Sequence, residues 1–150
     1  MEWNKDQSVS LSKLCVKIFT LIMIVVAVFA PKIFSALIEI RVHYLGGTLP
    51  YFLASTYTAC VPASVALWGL DKLLGNIENG DVFIAENVNI MRILSWRCIV
   101  AAVICLISSF YYMPFLILAS AAGFVGLILR VVKNVFAQAV EIKEDNDFTI

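Results

Sequence analysis

The chain has 150 residues, 61% of them hydrophobic and 15% charged, and its formal net charge is zero. Soluble domains average about 45–50% apolar and about 25% charged residues, so an ordinary soluble fold, a disordered chain and a nucleic-acid-binding domain are all excluded. The apolar residues are blocked rather than scattered. No Asp, Glu, Lys or Arg occurs from Val42 to Leu70 or from Cys98 to Leu129, and apolar blocks of about 18 residues or more read as membrane spans.

The first block, Ile18 to Ala30, lies between Lys17 and Lys32. Both ammonium groups can snorkel to opposite surfaces, which extends the block to a span from about Leu14 to Phe34. A secretory signal peptide cleaved after Val28-Phe29-Ala30 is the rival reading. Pro31 would then follow the cut and make a poor scissile bond, so an uncleaved span is expected. Beyond it, Ile33, Phe34, Leu37, Ile38 and Arg41 recur at helical spacing. Residues 31–49 should therefore lie along the interface or prolong the first span until Gly46-Gly47 breaks the helix. His43, the single histidine, stands i, i+4 from Glu39. A metal site needs more ligands than that, so His43 reads as an amphipathic interfacial residue.

The second span runs from about Pro50 to Leu70. Pro62 near its middle removes one backbone hydrogen bond, and Ser55, Thr56, Thr58 and Ser64 are at hand to repair the kink or to line a polar path. Packing is the commoner use of such hydroxyls. Leu70, Leu73, Leu74 and Ile77 continue the helix past Asp71 and Lys72. Asn79-Gly80 is a turn dipeptide, and Val82-Phe83-Ile84 is a short strand-like run. Glu86 and Asn87 open another helix carrying Val88, Met91 and Leu94 on one face, with Glu86 favoured there by the helix dipole.

As one helix, the block from Cys98 to Leu129 would be about 48 Å long, too much for a bilayer. Tyr111-Tyr112-Met113-Pro114 breaks it into a hairpin with spans at about Ser95–Tyr112 and Pro114–Arg130. Trp96 and Arg97 at one end and Arg130 at the other then mark the same membrane face. Ala119 with Gly123, and Ala122 with Gly126, form a small-residue packing face, compatible also with a homo-oligomer. Past Arg130, Val132, Val135, Phe136, Ala139 and Val140 make one stripe, with Lys133, Asn134, Glu141 and Lys143 facing away. Asp145-Asn146-Asp147 should stop this helix. The closing Phe148-Thr149-Ile150 should pair with Val82-Phe83-Ile84 as a two-stranded patch, which surrounding helices would have to support.

The expected fold is a single all-α integral membrane domain over 1–150, a four-helix bundle with a small loop and tail element at one end. Lys5, Lys13, Lys17, Lys72, Arg92, Arg97, Arg130, Lys133 and Lys143 flank one side, against Lys32 and Arg41 on the other. The positive-inside rule then puts both termini, the loop 71–94 and the tail 131–150 in the cytoplasm of a cell-membrane protein.

Motifs for known chemistry are missing. There is no Walker loop, dinucleotide glycine fingerprint, HExxH or CxxC, and nothing pairs a nucleophile with a base. Cys15, Cys60, Cys98 and Cys105 read as small buried hydrophobes, with disulfides disfavoured in the cytoplasm or bilayer. The spans carry no mid-membrane ionisable group of the kind that ion-coupled transporters use. No cofactor or metal is expected, and the reading is non-enzymatic.

The run Gly80-Asp81-Val82-Phe83-Ile84-Ala85-Glu86-Asn87-Val88 leading to Arg92, and the closing Phe136 to Ile150 with its Asp-Phe-Thr-Ile ending, resemble the bacterial family labelled domain of unknown function 2975. The likeness follows the spans in order along essentially the whole chain. Two positions depart from the family pattern: Ile84 and Ala85 stand where a capping Ser or Thr is usual, and Phe148 replaces a leucine. The resemblance implies small four-span membrane proteins without an established activity, often encoded beside a helix-turn-helix regulator of the Cro/CI type. The expected function is accordingly a regulatory or interaction role through Phe83, Glu86, Asn87, Arg92, Phe148, Thr149 and Ile150. Its partners would be the lipid bilayer and such a cytoplasmic regulator, with no direct contact to nucleic acid. A small transporter, channel or membrane immunity protein is the alternative.

Overall fold

The computed structural model describes residues 5–148. Five helices follow in order: α1 Lys5–Ile40, α2 Val42–Leu45, α3 Leu49–Glu78, α4 Ala85–Ser108 and α5 Phe115–Phe148. All but the single-turn α2 are long and apolar enough to cross a membrane. Helices are what the solvent demands, because lipid offers no partner for a free N–H or C=O and the helix satisfies its own.

Of the two readings for residues 31–49, the second is observed: α1 continues through Pro31 to Ile40. A one-turn α2 and Gly46-Gly47 then redirect the chain, Gly47 at φ 81, a left-handed conformation that glycine adopts without steric cost. Pro62 is likewise absorbed within α3, where Ser64 donates to the Cys60 carbonyl at 2.6 Å. The α4–α5 connection falls where the tyrosines and Pro114 predict it. Helix α4 ends at Ser108, and Tyr111 and Tyr112 lie in the turn rather than on the helix.

Neighbours pack in chain order, α1 on α3, α3 on α4 and α4 on α5. The bundle is apolar on its outside: Leu14, Phe19, Val28, Trp68, Val103, Phe124 and Leu127 are all exposed. Its fully enclosed side chains include Asn87 and Ser108. Between α4 and α5 the backbones come close. A Cβ on Gly126 would lie 3.2 Å from both Cys98 Cβ and Ile99 Cγ1, and Ser95 donates to the Gly126 carbonyl at 2.8 Å. At Gly126 the small-residue face of α5 is thus met by α4 of the same chain. Arg130 lies over the Trp96 ring at 5.1 Å, so the outer ends of the last two spans are level, as their charges require.

Three expectations need correction. Asp145-Asn146-Asp147 does not stop α5, which runs on to Phe148. Asp and Asn cost only about 0.7 kcal/mol each in a helix, and no Gly or Pro follows to end it. Val135 is exposed and Lys133 half-buried, the reverse of the expected stripe. Cys15 is exposed, on the outer helix, whereas Cys60, Cys98 and Cys105 are half-buried; all four are free thiols.

Gly126 and Gly75 make opposite predictions. Gly126→Leu should wedge α4 from α5 and cost about 1–3 kcal/mol. Gly75→Ala, with nothing within 4 Å of the added methyl, should stabilise α3 by about 0.5–1 kcal/mol. Thermal unfolding in mild detergent measures both.

Candidate functional site

The end of α3 is closed by a Schellman turn. The Asp81 N–H donates to the Asn76 carbonyl at 2.9 Å and Gly80 N–H to the Ile77 carbonyl at 3.1 Å, with Gly80 at φ 88. These are the two bonds that satisfy a helix C-terminus when a left-handed residue follows it. Asp81 to Ile84 then cross to α4, and Ile84 enters that helix extended, at φ −130 and ψ 148, with no side-chain cap.

Asn87 ties the uncapped connection down from inside the helix. It is completely buried. Its Nδ2 donates to the Asp81 carbonyl at 2.7 Å and the Val82 carbonyl at 2.8 Å. Its Oδ1 accepts from Asn76 Nδ2 at 2.7 Å. Asn76 also donates to Glu86 Oε2 at 3.2 Å, and Glu86 Oε1 receives Lys72 Nζ at 2.7 Å. Two residues of α3 and two of α4 therefore clamp the loop between them. Asn87 takes the Val82 carbonyl and the Asp81 carbonyl before it, and the segment Val82–Ile84 is not a strand. Among the described residues there is no strand at all.

Below the clamp lies an apolar cluster of Leu73, Ile90, Met91 and Leu94, joined by Ile77, Leu129, Val132 and Phe136. Phe83 leaves the loop to meet Phe136 of α5, ring centres 5.5 Å apart, and stays 44% exposed. On the other flank Lys13 of α1 pairs with Glu78 of α3. The start of α1, the α3–α4 loop and the outer part of α5 thus share one end of the bundle.

Of the candidate residues, the fold unites Phe83, Glu86 and Asn87. Arg92 is not among them: it lines a separate pocket with Ser95, Trp96, Arg130 and Lys133. Phe148 is helical in backbone, and Thr149 and Ile150 lie outside the described residues, so their strand pairing with the loop finds no support from Phe148. Asn76 and Lys72 were missed. Asn76 had a legible signal, an amide three residues after Leu73 and next to Ile77 on an otherwise apolar stripe.

The opposite end is organised by Phe52, 1% exposed. Its ring stacks on Phe34 at 4.9 Å and meets Tyr111 at 5.0 Å and Tyr112 at 5.3 Å edge-on. Ser108 donates to Ser55 Oγ at 2.6 Å, and the Tyr111 hydroxyl reaches the same oxygen at 3.0 Å. His43 is exposed against Tyr44. Among the described residues no three of His, Cys, Asp and Glu converge as a metal site would require.

Four membrane-length helices with an apolar outside define a multi-pass membrane protein. Residues 18–150 match the family described as "Protein of unknown function (DUF2975)", and the chain belongs to that family. No curated protein and no solved structure matches it.

Asn87→Ala should orphan two loop carbonyls and leave the Asn76 amide with Glu86 alone, costing about 1–3 kcal/mol and exposing residues 80–84 to proteolysis. Limited proteolysis and thermal unfolding read this, and Asn76→Ala should be less than additive with it. The clamp also sets a pH dependence. Lys72, hydrogen-bonded and ion-paired to Glu86, holds its carboxyl below the usual range, with help from Asn76 and only partial opposition from desolvation. The unfolded carboxyl titrates near about 4.3. A lowered folded pKa adds stability that is complete above that value and is lost as pH falls through the lower one. Acidification below about pH 4 should therefore destabilise the native protein more than Glu86→Gln, as thermal unfolding against pH would show.

Proposed function

We propose that this protein is a non-enzymatic interaction protein of the cell membrane, with both termini and the α3–α4 loop in the cytoplasm. The observation that carries the reading is the clamp: a buried, satisfied amide holds a short loop rigid while leaving the Phe83 ring half-displayed beside α5. Buried polar groups in a small bundle are costly unless every bond is made. Asn87 makes all of its bonds, and makes them at the loop. The orientation rests on the charge asymmetry, nine of the eleven basic residues falling on the side of the clamp.

The partner of this reading is a soluble regulator, of the helix-turn-helix kind that the family likeness implies, held at the membrane through Phe83 and the outer part of α5. Transport, channel activity and immunity to a membrane-active peptide are less well supported. Two of the four hydroxyls that would line a path are engaged, Ser55 by Ser108 and Tyr111, and Ser64 by the Cys60 carbonyl.

A photo-crosslinking amino acid in place of Phe83, expressed in the native host, tests the reading. A cross-link to a soluble regulator, lost on Asn87→Ala, is the expected outcome. Cross-links to lipid alone, or a reporter tag on either terminus reading as external, would overturn it.

A further inference from the structure

The pocket that takes Arg92 away from the clamp has its own chemistry. Arg92, Ser95 and Trp96 of α4 and Arg130 and Lys133 of α5 enclose about 100 Å³, room for about three waters or one tetrahedral oxyanion. Its three cations converge from two helices, and none makes an ion pair among the described residues. The Ser95 hydroxyl is spent on the Gly126 carbonyl. Trp96 is 52% exposed under the Arg130 guanidinium, at the level where tryptophans meet the bilayer interface. Mutual repulsion of three unpaired cations is relieved by an anion, and basic pockets between spans are suited to phosphate head groups.

What decides the source of that phosphate lies deeper in the same seam. A second, apolar groove of about 240 Å³ runs between α4 and α5, lined on α4 by Ile99, Val103 and Leu106 and on α5 by Gly123, Ser120 and Leu116. Arg92, Trp96, Ile99, Val103 and Leu106 recur at three and four residues, so they form one face of α4. Lys133, Arg130, Gly123, Ser120 and Leu116 share one face of α5, with a step of two turns from Arg130 to Gly123 past the close contact at Gly126. The charged pocket and the apolar groove are therefore two parts of one helical seam. From Arg92 to Leu106 that seam is about 21 Å long at 1.5 Å per residue, the depth of one leaflet of a bilayer about 40–45 Å across.

We infer that the α4–α5 seam binds one anionic phospholipid, its phosphate among Arg92, Arg130 and Lys133 and an acyl chain along the groove. This site goes beyond the interaction surface at Phe83 and stands or falls separately from it.

The full-length protein in phosphatidylcholine nanodiscs, in a Trp3→Phe/Trp68→Phe background that leaves Trp96 as sole fluorophore, provides the test. Brominated phosphatidylglycerol should quench Trp96 at a far lower mole fraction than brominated phosphatidylcholine. Arg130→Gln/Lys133→Gln should raise the phosphatidylglycerol midpoint about thirtyfold, about 1 kcal/mol for each cation removed. Arg97→Gln, in the same belt but outside the pocket, should not move it. Should the double variant fail to fold, Arg92→Gln on the exposed surface of α4 is expected to raise the midpoint about fivefold. Ser120→Leu should weaken the lipid without altering charge. Equal quenching by both lipids, or an unchanged midpoint in a folded charge variant, would overturn the inference. Displacement of the lipid quench by inorganic phosphate would assign the pocket to a soluble anion and overturn the lipid as occupant.

Discussion

Lipid gives an apolar side chain no reason to prefer the inside of a bundle to its outside. That constraint explains why the largest hydrophobes of this chain lie outward and why cohesion rests on a few short-range contacts. Close approach at Gly126, the Ser95 bond to its carbonyl, and the Ser108–Ser55 pair hold α5 to α4 and α4 to α3. Each would be worth little on a wet surface. Between helices that lipid cannot solvate differently, they select one packing over others.

At the bundle's edge water returns, and with it the ordinary hydrophobic effect. The cluster of Leu73, Ile90, Met91 and Leu94 lies where α3 and α4 pass out of their most apolar stretches. Asn87 sits directly above it. The amide is affordable there because the two carbonyls it binds belong to a tight connection that has no helix or strand of its own to satisfy them. Loop geometry and burial of a polar side chain are thus two aspects of one arrangement.

Local chemistry was the legible part of the sequence. Four apolar blocks, the Asn79-Gly80 helix stop, the break near Pro114 and Glu86 at the start of α4 each depend on residues within one or two turns of each other. The clamp and the aromatic cluster at Phe52 depend on which side chains from different helices meet, and spacing along one helix does not carry that. Asn87 was recognised as a helix-opening residue, yet its three partners lie five to eleven positions away. The tail misled for another reason. A run of Asp and Asn resembles a terminator, but neither residue breaks a helix as Gly or Pro does.

Helix α1, the most apolar of the four spans, packs principally on α3, which is the least apolar and carries Pro62 with Ser55, Thr56, Thr58 and Ser64 around it. During synthesis α1 leaves the ribosome before α3 and can partition into the bilayer unaided. The less apolar α3 then enters beside a ready-made neighbour, with the α4–α5 hairpin still to come. The order of the helices in space therefore doubles as an order of insertion, in which the most self-sufficient segment chaperones the one least able to cross alone.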